Sequence, residues 1–171
     1  MAEKNIDLIL QRLIRILSQE IVTYTKLLTS LEEKQQAIIQ GEIENMKIIT
    51  EKEQVILTDA KLTEQERNVS IAKLRTNGEN MNDVENLTQL IAVVETKYHS
   101  RLSEIQESLK DILEKVALKN EQNKFLLNHS IHFVQTMIKD LLTSNESMND
   151  LYAQNGRKIN PKYLALLDRK I

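Results

Sequence analysis

The sequence predicts an all-α protein, an antiparallel helical bundle with long coiled-coil-like helices and a mobile C-terminal tail. Three observations predict it. Apolar residues recur three and four apart over long uninterrupted stretches, which is the spacing of one helix face. The 171 residues include one Pro and three Gly, so few positions break a helix. Aromatic residues make up 4% of the chain, which leaves a sheet short of the side chains it favours.

The first stretch, from about residue 5 to 40, carries Leu10, Leu13, Leu17, Ile21, Tyr24, Leu28 and Leu31 on one stripe. Ile9, Ile14 and Ile16 widen that stripe near the N-terminus, as burial against two neighbours requires. Gly41 is the first breaker, and Glu42 and Glu44 after it suit the first turn of a second helix. The second helix is expected over 43–74, with Met46, Ile49, Ile56 and Ala60 as its seam. Residues 61–68 are almost wholly polar, and Thr63 with Glu66 forms a candidate capping box, so a restart there stays open. Asn77, Gly78, Asn80 and Asn82 mark an interhelical loop. Asn82, with Glu85 three residues on, reads as the N-cap of a face built from Val84, Leu87, Leu90, Ile91 and Val94. A bend or one-residue dislocation is expected near Thr96.

The longest seam follows. Leu102, Ile105, Leu109, Ile112, Val116, Leu126, Phe133, Met137 and Leu141 lie on one line, with Lys119, Asn123 and Ser130 in its remaining slots. A helix over 102–142 would span roughly 60 Å at about 1.5 Å per residue, so it needs partner helices. Asn123 in such a seam sets register at a cost in stability. At Ser144 the pattern changes, which places a helical bundle over 1–143 and a flexible tail over 144–171. The tail holds Arg157, Lys158, Lys162, Arg169 and Lys170 against Asp168.

Composition narrows function by exclusion. The net charge of −2 gives no general attraction for nucleic acid or anionic lipid. No apolar run is long enough for membrane insertion, and Glu3 and Asp7 stand where a signal peptide carries basic and apolar residues. The chain has no Cys, which suits a cytoplasmic location. No glycine-rich phosphate loop occurs. His129 and His132 sit three apart on a helix, but their neighbours Asn128, Ser130 and Gln135 supply no carboxylate, so neither a metal nor another cofactor is expected. Met46, Met81, Met137 and Met148 are scattered gap-fillers rather than a cluster. The reading is of a non-enzymatic interaction protein.

Midway along the long helix, Asn120 and Asn123 precede the paired Leu126 and Leu127, and a helical run then leads to Tyr152 with Gly156 four residues on. In this order and spacing the chain resembles the FlgN-type flagellar export chaperones over nearly its whole length. The departure is the Leu-rich end after Pro161. The resemblance implies a bacterial cytoplasmic type III export chaperone. Such a chaperone binds the terminal helical regions of flagellar hook-associated proteins, prevents their premature assembly and delivers them to the export apparatus. It also places Tyr152 and Gly156 in the part that engages the export gate. The alternative is a structural, self-assembling coiled-coil protein without a client; a metal-binding bundle has the least support. The expected client surface is Ile131, Phe133, Val134, Met137, Ile138, Leu141 and Leu142, which wrap more than one narrow stripe. The first helix, with its wide N-terminal stripe, is the competing cover for the same residues, and a homodimer stays open.

Overall fold

In a computed structural model the backbone is described for residues 2–78 and 81–152, and side chains for 5–78 and 81–143. Four helices follow one another: α1 (Ala2–Gln40), α2 (Ile43–Asn77), α3 (Leu87–Val93) and α4 (Thr96–Tyr152). The described residues divide into two units, one ending at Asn128 and one beginning at His129. The first is a bundle of α1, α2, α3 and the N-terminal part of α4. The described backbone of the second is the remainder of α4.

The α1–α2 corner is set by Gly41. Its φ of +71° is strained for any residue with a Cβ. Around it Gly41 N–H donates to Ile38 O at 3.2 Å and Glu42 N–H to Ala37 O at 2.9 Å, the paired bonds that close a helix on a left-handed residue. The chain then returns antiparallel along α1. Glu20 pairs with Arg67 at 3.1 Å and Lys34 with Glu53 at 2.7 Å, so numbers fall on one helix as they rise on the other. α2 is unbroken through its polar stretch. Thr63 does not restart it, because its hydroxyl donates to Asp59 O at 2.8 Å inside the running helix.

The connection to α4 differs from the sequence expectation. The helix after the loop begins four residues later than expected: its N-cap is Asn86, not Asn82. Asn86 Oδ1 accepts from Gln89 N–H at 2.9 Å and Gln89 Oε1 accepts from Asn86 N–H at 3.3 Å, a complete capping box. Val84 is thereby freed from a helix, and Met81 and Val84 turn into the core as plugs. The dislocation expected near Thr96 is a full interruption: Val94 is extended, with ψ of 164°, and α4 starts two residues on.

These plugs explain where the core sits. Ile9, Leu10, Leu13 and Leu17 of α1, Leu74 of α2, Met81, Val84, Leu90 and Val94 of the connection, and Tyr98, Leu102 and Ile105 of α4 form one buried cluster. Aliphatic side chains on four elements can be covered together only because the loop and α3 close the end of the three-helix packing. The N-terminal widening of the α1 stripe reflects these extra neighbours. Further along α1 the core is thinner and more polar, with Thr23, Ser30, Glu53 and Asn123 buried among Leu27, Leu31, Ala37, Ile38 and Ile49.

α1 and the first turns of α4 are tied by a polar cluster around Asp7. Its carboxylate pairs with Lys97 at 2.7 Å and accepts from the Tyr98 hydroxyl and from Gln11 Nε2. The Lys97 ammonium, then the Tyr98 hydroxyl, hold the Asp7 carboxyl below its ordinary value of 3.8. A depressed carboxyl contributes stability above its unfolded pKa, and that contribution is lost as pH falls through the folded value. Asp7→Asn is therefore expected to lower the melting temperature at pH 7, with the difference from wild type shrinking as the pH falls below the ordinary carboxyl value of 3.8. A constant difference across that range in a pH series of thermal melts would show that the charge is not what matters.

Candidate binding surface on the last helix

The seam that is continuous in sequence has two fates. In the first unit Leu102, Ile105 and Ile112 are buried, Leu109, Val116 and Lys119 half-buried, and Asn123 buried. Leu126 and Leu127 are half-buried and Asn120 is exposed. From 129 to 143 every residue is exposed. The seven candidate side chains, Ile131, Phe133, Val134, Met137, Ile138, Leu141 and Leu142, are each between 47% and 65% exposed.

Those seven share one side of the helix. At about 100° per residue they occupy an arc of roughly 180°, from Phe133 round to Leu142, with Ser130 as the one polar residue inside it. The opposite half carries His129, His132, Gln135, Thr136, Lys139, Asp140 and Thr143. A half-cylinder of exposed aliphatic and aromatic side chains is a surface for hydrophobic docking, because water is displaced from apolar area with only the Ser130 hydroxyl among the covered groups. His129 and His132 lie on the polar half. Among the described residues no group of three or more His, Cys, Asp or Glu is placed to hold a metal.

Asn123 is the polar residue that the bundle encloses. Its Nδ2 donates to Leu31 O across the α1–α4 interface at 2.7 Å, while its Oδ1 is buried with no hydrogen-bond partner. Lys119 Nζ donates to Gln35 Oε1 at 3.1 Å one turn away, so α4 meets the later part of α1 through polar contacts. Leu31 O is a helix carbonyl with a second lone pair, and losing the Asn123 bond costs it little. The stranded Oδ1 costs about 1–3 kcal/mol. Asn123→Leu is therefore expected to raise stability by about 1 kcal/mol and, by removing a directional contact, to broaden the oligomer distribution. Lower stability with an unchanged sedimentation profile would contradict both.

Two buried carboxylates escaped the sequence reading because their partners lie far along the chain. Glu20 is 2% exposed; burial pushes its carboxyl up, and the Arg67 guanidinium only partly opposes this. Glu53 is held by Lys34. Both serve α1–α2 register.

Two other features of the first unit compete less well as binding sites. A crevice of about 270 Å³ lies among Leu13, Leu17, Ile71, Leu87, Leu90 and Leu109. Its cations are already engaged, Arg67 by Glu20 and Arg75 Nε by Val84 O at 2.7 Å. On α2, Ile48, Val55, Leu62 and Val69 are exposed at strict seven-residue intervals, a line that the inward seam of Ile49 and Ile56 masks in the sequence. That line is one residue wide and is flanked by both signs of charge, Glu51 and Lys52 in one turn, Glu66 and Lys73 in others.

Tyr152 is the last residue of α4, and its side chain lies outside the described residues, as do Gly156 and the Leu-rich end after Pro161. No helix among the described residues is long and apolar enough to cross a membrane.

The family model described as FlgN protein matches residues 1–159 of the chain. No curated protein and no solved structure matches it.

Proposed function

Because this chain belongs to the FlgN family of flagellar export chaperones, we propose that it binds flagellar hook-associated proteins through the apolar half of α4. The observation that carries the proposal is the set of seven exposed apolar side chains over 131–142. A helix from the terminal region of a client lays its own apolar face on such a surface, which is a standard mode of helix recognition. Each side chain is already about half covered, so complete burial adds roughly half of the usual 1.5–3 kcal/mol, and several anchors together exceed the cost of ordering a flexible client segment. Held in this way, the client's assembly surface is occupied and premature polymerisation is prevented.

In this reading the protein works in the bacterial cytoplasm, free of nucleic acid and of membrane insertion, without cofactor or catalysis, and hands its client to the flagellar export apparatus. Folding is assigned to residues 1–143, and delivery to the tail over 144–171, with Tyr152 and Gly156 docking at the export gate. The test has two arms. Co-purification of a hook-associated protein with the full chain, in one defined complex, supports client binding. A chain ending at Thr143 is expected to melt within about 2 °C of the full chain, since the removed segment follows the last residue of the seam, and to export the client poorly in a motile host. Undiminished export by the shortened chain would remove the delivery role from the tail.

The second reading is a self-assembling coiled-coil protein without a client. The same exposed face favours it, because a second copy also covers apolar surface. It requires the free protein to be a stable oligomer whose size does not change when a hook-associated protein is added.

A further inference from the structure

The apolar half of α4 is too wide for one partner. At about 100° per residue, Ser130, Phe133 and Met137 define one heptad line and Ile131, Val134 and Ile138 a second, offset by one residue and so displaced around the helix by about 100°. A helix laid on a neighbour covers a stripe of about 100°, which is one of these lines. With the other line left wet, side chains that are half exposed in this structure would stay so. We infer that the client covers α4 with two helical segments of one chain, one on each line, making a three-helix packing with α4. This rests on the client-binding reading above and names the form of the client at that site.

The charges at the borders distinguish the two segments. Asp140 stands directly beyond Phe133 at the edge of the first line, and past Leu142 at the edge of the second come Gln135 and then Lys139, the nearest charge on that side. The segment on the first line therefore fits best with basic residues along its outer edge, and the segment on the second with acidic ones. Two different helices satisfy this arrangement, whereas one helix used twice would meet a like charge at one border.

The test uses the full chain, a purified hook-associated protein and overlapping peptides of about 40 residues that tile it, enough for a helix of several turns. Two variants separate the lines, Phe133→Asp with Met137→Asp for the first and Ile131→Asp with Val134→Asp for the second. Circular dichroism checks that each remains helical. The expected result is a 1:1 complex in sedimentation and a loss of about tenfold or more in affinity for the intact client with either variant, as removal of central anchors produces. Two non-overlapping peptides bind, each lost with one variant and kept with the other. Intact-client affinity unchanged for one variant shows that a single helix suffices, which overturns this inference and leaves the chaperone reading standing. A complex holding two copies of the chaperone per client assigns the second line to the chain itself and also overturns it. Unchanged affinity for both variants overturns the inference together with the placement of the client on α4.

Discussion

A chain carrying Val134→Asp and Ile138→Asp is expected to keep its fold and lose its client. Both side chains are about half exposed, at 52% and 47%, so an Asp at either position remains hydrated in the free protein. The cost to the free helix is small, because Val, Ile and Asp have similar intrinsic helix propensities. In the complex the balance reverses. Two anchors are gone, and two carboxylates would have to be dehydrated against an apolar partner without counter-ions, which costs several kcal/mol. Affinity for a hook-associated protein should fall by at least about a hundredfold, equivalent to roughly 2.7 kcal/mol. The melting temperature should move by no more than a few degrees. A titration by calorimetry beside a thermal melt measures both. A collapsed melt would make these core residues, and intact binding would move the client site off this helix.

The parts that were legible in the sequence are those governed by near neighbours. The α1 stripe, the Gly41 corner and the line from Leu102 to Leu141 depend on spacing and on one backbone conformation. The α3 cap was misplaced because Asn82 and Asn86 are both followed three residues on by a side chain able to complete a box. The choice falls to tertiary packing, which takes Met81 and Val84 into the core and so leaves Asn86 to start the helix. Asn123 was recognisable as a polar intrusion, but its partner, the Leu31 carbonyl, lies 92 residues away and has no sequence signature. The Asp7 cluster was invisible for the same reason, its Tyr98 partner being 91 residues distant. Heptad spacing also does not say whether a seam is covered. Leu102 and Met137 occupy the same line, and only the fold separates the buried one from the exposed one.

That separation makes the second prediction. Leu102 is 0% exposed, within the cluster that joins α1, α2, the connecting segment and α4. Leu102→Ala leaves a cavity bounded by side chains from several elements, which cannot all relax toward it. The expected cost is about 3–4 kcal/mol, in the upper part of the range for buried Leu→Ala changes. At about 3–5 °C per kcal/mol for a domain of this size, the melting temperature falls by roughly 10–15 °C. Met137→Ala, on the same line but 48% exposed, should cost under about 0.5 kcal/mol, because its side chain is largely hydrated in the free protein. Client binding should show the opposite order at a temperature where both variants are folded. Met137→Ala weakens it by removing an anchor, and Leu102→Ala leaves it near wild type. Equal destabilisation by the two substitutions would mean that the line is covered along its whole length, and the division of one seam into a part that folds the chain and a part that binds would fail.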